Sequence, residues 1–122
     1  MKLHLTREVG LQLFSGYGTG FVAVNNVRYE TGVVVSPHAV SAWDVREFGE
    51  LTEADFGFIA ALKPEIVIVG TGAAQRFLRK ELARALAATG VGVEVMDSHA
   101  ACRTYNILAT EGRKVVAAVL TA

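Results

Sequence analysis

One cysteine, Cys102, and only two prolines stand among 122 residues, and each scarcity removes a class of protein. A lone cysteine leaves no internal disulfide and no cysteine-rich zinc site, so a reducing compartment is the expected setting. Charged residues make up 20% of the chain against 52% hydrophobic, the reverse of a disordered composition. Twelve basic side chains balance twelve acidic ones. That balance removes the domain-wide positive field on which non-specific nucleic-acid binding relies, and no nucleic-acid partner is expected. No run approaches the ~20 apolar residues of a membrane span. The opening stretch from Met1 to Glu8 is interrupted by polar residues where a signal peptide needs an apolar core. A cytoplasmic protein is expected, with peripheral membrane contact left open. The histidines His4, His38 and His99 are scattered without metal-ligand spacing, so no metal site is expected.

The length suits a single domain over residues 1–122, because a second domain would have no core of its own. Short strands are expected at Leu3–Leu5, Leu11–Phe14, Phe21–Val24, Val27–Tyr29 and Gly32–Val35, with Asn25-Asn26 as a tight hairpin turn. Gly16-Tyr17-Gly18-Thr19-Gly20 reads as a bulged turn rather than a phosphate cradle, since no helix follows it. Val40 to Val45 reads as extended or irregular chain, with Trp43 assigned to the core. Thr52 and Asp55 stand at N-cap and N3, with Leu51 and Phe56 as a hydrophobic staple, so a helix is expected there, burying Phe56, Ile59 and Leu62. Ile66 to Val69 is a continuous β-branched run, the pattern of a strand covered on both faces. A helix over Ala73 to Ala88, a second buried strand over Val91 to Met96, a helix from Asp97 or Ser98 to about Ala109, and a strand over Val115 to Leu120 follow. Strand, helix, strand, helix, strand implies crossovers over a sheet that is at least partly parallel.

Two segments carry candidate chemistry. Gly70, Thr71 and Gly72 follow a strand and are expected to open a helix, where free backbone N–H groups and the helix dipole hold anions, with Arg76 one turn inside. A tight strand-to-helix turn explains the glycines equally well. Gln75 occupies the position at which a dinucleotide fingerprint needs glycine, so no cofactor is expected. The run from Asp97 to Asn106 starts at the end of the next strand and should emerge at the same sheet edge. His99, Arg103 and Asn106 then share one helix face, while Ala100, Ile107 and Leu108 can turn to the core. Cys102 sits beside Arg103, which would favour a thiolate, yet a lone cysteine among alanines reads first as a small buried hydrophobe. Asp97 fits a helix cap as well as a proton carrier. Arg76, Arg79, Lys80 and Arg84 form a basic outer face on the middle helix, read first as solvated and second as a dock for an acidic partner or an anionic lipid surface.

Taken together, Trp43, Leu51-Thr52 with Asp55-Phe56, the run Ile66 to Gly72, the run Gly92 to Asp97, and Ala100 to Leu108 continuing through Glu111-Gly112-Arg113 resemble the Mth-938-like domain family. Ser98 departs from the threonine expected there. The resemblance spans nearly the whole chain and implies an α/β fold in three layers, a central mixed sheet with helices on one side and additional β-strands on the other. It also implies kinship with a mitochondrial assembly factor for respiratory complex I, and offers no catalytic residues to carry over. Two functions are therefore expected in order. The first is a non-catalytic assembly or interaction domain with a protein partner in membrane-complex biogenesis. The second is a small-molecule or anion-binding enzyme built from Gly70, Thr71, Gly72, Arg76, Asp97, Cys102 and Arg103. Oligomeric state is left open.

Overall fold

The computed structural model describes residues 10–121, so the strand expected at Leu3–Leu5 lies outside the described residues. The described chain begins with three short antiparallel strands, β1 (Phe14–Gly18), β2 (Phe21–Val24) and β3 (Val27–Tyr29), paired in that order. Asn25 and Asn26 make the second turn with φ of 47° and 69°, the left-handed values that a two-residue hairpin needs and asparagine tolerates. Strand β1 departs from the expected Leu11–Phe14 and runs instead through Gly16, Tyr17 and Gly18. The Asn25 side chain takes the N–H of Leu13 and donates to the carbonyl of Leu11, so regular pairing starts only at Phe14. The expected irregularity is a bulge between Phe14 and Gly16, and the turn itself lies at Thr19-Gly20.

A second hairpin, β4 (Gly32–Ser36) and β5 (Ala39–Trp43), joins a larger sheet. Strand β8 (Val115–Val119) pairs antiparallel with β4 and parallel with β6 (Ile66–Gly70), which pairs parallel with β7 (Gly92–Met96). Among the described residues this mixed sheet has the order β5-β4-β8-β6-β7. Helix α1 (Phe58–Leu62) precedes β6, α2 (Lys80–Ala87) links β6 to β7, and α3 (Ser98–Thr110) links β7 to β8.

Because side chains alternate along a strand, each central strand feeds two cores. Val67, Val69, Val116 and Ala118 face Trp43, Phe48, Leu51, Phe56, Leu82 and Leu86. Ile68, Val115, Ala117 and Val119 face Ala101, Cys102 and Tyr105 of α3, together with Phe14, Val22 and Val24 of the small sheet. The chain thus adopts the expected α/β arrangement around a central mixed sheet, with α1 and α2 on one side and the extra strands on the other. Helix α3 lies on the strand side, between the two sheets.

Four expectations need correction. The Thr52–Asp55 capping box is present, with the Thr52 N–H donating to Asp55 Oδ2 at 2.8 Å, but it opens a 3₁₀ turn over Glu53–Phe56 before α1 begins. Leu62, expected in the core, is 39% exposed, because Lys63 takes a left-handed conformation and ends α1 after one turn. The helix expected over Ala73 to Ala88 starts only at Lys80. Gly72 turns the chain away at φ 101°, and the Arg79 guanidinium donates to the carbonyls of Gly49 and Leu51, which anchors an extended residue just before the helix. Arg76 and Arg79 therefore lie off the helix face assigned to them. Strand β7 is the sheet's edge and only half-buried, with Glu94 exposed, rather than a second buried strand.

Asn106 fastens the small sheet to α3, accepting from the Phe14 N–H at 2.9 Å and donating to the Phe14 carbonyl at 2.8 Å, as a neighbouring strand would. Asn106→Ala is expected to cost about 2 kcal/mol, at roughly 1 kcal/mol for each net hydrogen bond, measured as a lower urea midpoint. Amide exchange at Phe14 should accelerate, and unchanged exchange there would show that β1 is held by packing alone.

Candidate functional site

The two segments picked out in the sequence meet at the carboxyl ends of β6 and β7. Thr71 N–H donates to the Met96 carbonyl at 2.9 Å, and Ser98 N–H donates to the Gly72 carbonyl at 2.9 Å. The Ser98 hydroxyl, 1% exposed, accepts from the Gly72 N–H at 2.8 Å and donates to the Leu120 carbonyl. Leu120 N–H returns to the Gly70 carbonyl at 3.0 Å. One hydroxyl therefore ties the end of β6, the start of α3 and the end of β8 into one knot. Gly70 is required for this approach, since a Cβ there would sit 2.9 Å from Ser98 Oγ and 3.1 Å from both Ser98 Cα and Val119 Cγ1.

This junction changes the chemistry available. The N–H groups of Thr71 and Gly72 are already donated within the fold, and no helix opens at Gly72, so neither the amides nor a dipole of the expected kind faces solvent there. Thr71 is buried and its hydroxyl donates to the Ala74 carbonyl at 2.6 Å. Asp97 is the N-cap of α3, with Oδ1 accepting from the Ala100 N–H at 2.9 Å, and Ser98 is the first residue inside. Cys102 is fully buried against the sheet, and burial pushes its thiol up to about 12, outweighing the nearby Arg103 charge that favours the thiolate.

The two arginines part company. Arg76 lies over the Phe48 ring, 4.9 Å from its centroid, beside a cavity of about 360 Å³ that it lines with Arg46, Glu47, Thr71 and Gly72 on the helical side of the sheet. Arg103 is exposed on the strand side, donating to the Tyr17 hydroxyl at 2.9 Å, which holds the guanidinium more firmly protonated. His99 stacks on the same Tyr17 ring, 4.3 Å between centroids. The polar face of α3 is thus the face that meets β1. Tyr17 was missed by the sequence reading because its partners lie more than eighty residues away. Ile107, expected to be able to turn to the core, is 59% exposed; the buried positions of α3 are Ser98, Ala101, Cys102, Tyr105 and Ala109.

With this geometry in place, the comparisons with known proteins are informative. The family model described as a protein of unknown function (DUF498/DUF598) matches residues 14–120. The chain belongs to this family. A crystal structure from Bordetella parapertussis is 43% identical, covers 91% of this chain and 96% of its own, and superposes with a TM-score of 0.86. The solution structure of a Bordetella pertussis protein described as a Mth938-like domain is 36% identical over 92% of this chain and 87% of its own, at a TM-score of 0.80. A Bos taurus protein named NADH dehydrogenase (ubiquinone) 1 alpha subcomplex assembly factor 3 is 35% identical over 119 residues, which is 95% of this chain and 65% of the relative. The chain therefore spans less than two thirds of the curated relatives that carry this name. The Mth-938-like resemblance carried by the residues from Trp43 to Arg113 agrees with the Mth938-like domain among these structures. Among the described residues no helix is long and apolar enough to cross a membrane.

Ser98→Ala would leave the Gly72 N–H and the Leu120 carbonyl without their buried partner. At about 1–3 kcal/mol for each group, a loss of about 2–6 kcal/mol is expected in chemical denaturation. A loss under 0.5 kcal/mol would mean that water replaces the hydroxyl. Cys102 should resist a disulfide exchange reagent at pH 8 except on the timescale of unfolding. Its folded pKa is raised from the ordinary 9.0, so its contribution to stability is complete below pH 9 and is lost as pH rises toward 12, because the unfolded thiol ionises first. Alkaline denaturation of Cys102→Ala, compared with wild type, should be less steep in that window.

Proposed function

We propose that this chain is a non-catalytic assembly domain, a single unit over residues 1–122 that acts in the cytoplasm by holding a protein partner during biogenesis of a membrane complex. The observation that carries this reading is the occupation of the sheet-edge groups by structural work: Ser98 ties the ends of β6 and β8 to the start of α3, Asp97 caps α3, and Cys102 is packed in the core. These three groups, which a hydrolase or transferase could have used as nucleophile or proton carrier, are spent on the fold. Relatives named as complex I assembly factors, matched along nearly all of this chain, support a role in assembly. Affinity capture of the full chain from its native cell under gentle lysis should return a reproducible protein partner belonging to a membrane complex. Capture that returns none in repeated trials overturns the reading.

The cavity beside Arg76 favours a second reading, a small-anion site, because Arg46 and Arg76 bring two cations to one opening near Thr71. Thermal-shift measurements with phosphate, nucleotides and small carboxylates test it. Stabilisation of a degree or more by one of these, lost in Arg76→Gln, is the expected result under this reading. A flat response across the panel removes it.

A further inference from the structure

We infer that the outer edge of β7 and the apolar groove beside it form a strand-addition site for an extended segment of a partner protein, apolar on alternate residues and flanked by carboxylates. This deepens the assembly reading and rests on it. Among the described residues β7 is the edge of the larger sheet and pairs only with β6. Gly92 N–H donates to the Glu65 carbonyl and the Met96 carbonyl accepts from Thr71, so the even-numbered residues of β7 spend their backbone groups on the β6 side. In a parallel ladder the intervening residues point the other way, and Val93 and Val95 each offer an N–H and a carbonyl outward.

The side chains beside that edge suit an added strand. A groove of about 390 Å³ runs between β7 and α2, lined by Phe77, Leu78, Ala83, Ala87, Val93 and Val95, without a charged residue. Phe77 is 83% exposed at its mouth, far beyond what a single large aromatic normally shows, and it stands on the turned-out segment that sequence periodicity assigns to a helix. A strand paired to Val93 and Val95 would place alternate side chains over this groove and against Phe77.

Charge selects the occupant. Lys80 and Arg84 are exposed one helical turn apart on α2, and helical spacing sets them next to Ala83 and Ala87 on the rim of the groove. A cationic rim around an apolar floor matches an apolar segment that ends in Asp or Glu. A second copy of this chain fits less well, because the antiparallel β7 to β7 register with the longest overlap sets Glu94 against its own copy, and like charges directly opposite are destabilising. A lipid surface fits less well too, since acyl chains would leave the Val93 and Val95 backbone groups without partners.

The probe is a peptide with valine at its third and fifth positions, glutamate at its first and seventh, and threonine between, compared with the same peptide carrying lysine at both ends. Amide exchange and chemical shifts are read on the full chain. In the free protein the Val93 and Val95 amides should exchange rapidly. The glutamate peptide should slow both and bind about tenfold more tightly than the lysine peptide, as two rim charges would dictate. Lys80→Glu with Arg84→Glu, both on an exposed helix face, should erase or reverse that preference. Val95→Pro removes an outward N–H that no internal ladder uses, and should abolish binding while leaving exchange in β6 and β8 unchanged. Slow exchange at Val93 and Val95 in the free chain, equal binding of the two peptides, binding of neither, or a Val95-dependent self-association each overturns the inference. So does a Phe77-dependent attachment to phosphatidylglycerol vesicles. If wild type and Val95→Pro capture the same native partner equally well, this inference fails while the assembly reading stands; if wild type captures none, the assembly reading itself has failed.

Discussion

The Ser98 hydroxyl sits where β6, β8 and α3 converge, and the arrangement of the sheet edge depends on its two hydrogen bonds. It satisfies a backbone donor at Gly72 and a backbone acceptor at Leu120, both of which would otherwise be left unpaired in a region closed to water. The geometry works only because Gly70 has no side chain and lets the first turn of α3 press against the end of β6. From that junction α3 is aimed along the sheet, its small residues Ala101 and Cys102 against Ile68 and Val119 and its Tyr105 against Phe14. The polar face of the same helix then receives β1 through Asn106, Tyr17 and Arg103.

Each face of the central sheet is sealed by a different device. On one side Trp43 and Phe56 meet edge to face, and the indole N–H finds the Asp55 carbonyl at 2.8 Å, so a large aromatic is buried without orphaning its donor. On the other, Tyr105 is wholly buried and donates to the Gln12 carbonyl at 2.8 Å, which ties in the chain ahead of β1. Chemistry that looks catalytic in outline is thereby used as fastening. Among the described residues, a hydrogen-bonding strand edge, an exposed phenylalanine and a set of cations face outward, and the proposed docking of another chain rests on these.

Much of the fold was legible before any coordinates. The β-branched run Ile66 to Val69 announced a strand covered on both faces, Asn25-Asn26 announced its hairpin, and Thr52 with Asp55 announced a capping box, because each is a local signal whose cause lies within a few residues. The misreadings share a cause as well. Ala74 and Phe77 keep helical spacing, yet the chain there is pulled out by the Arg79 guanidinium binding carbonyls some thirty residues earlier. Of the candidate site, the meeting of the Gly70 loop with Asp97 was readable from strand order. That its amides were already spent, and that Arg76 and Arg103 sit on opposite sides of the sheet, was not.

By itself the sequence determined the α/β class, the positions of the central strands and the family, since periodicity, capping and turn chemistry act over short range. Only the tertiary structure decided that Ser98 is a knot, that Cys102 is sealed in the core, and that β7 is an edge with Phe77 standing beside it. Those are questions of which distant atoms compete for the same hydrogen bonds and the same apolar surface, and chain order alone does not rank the competitors.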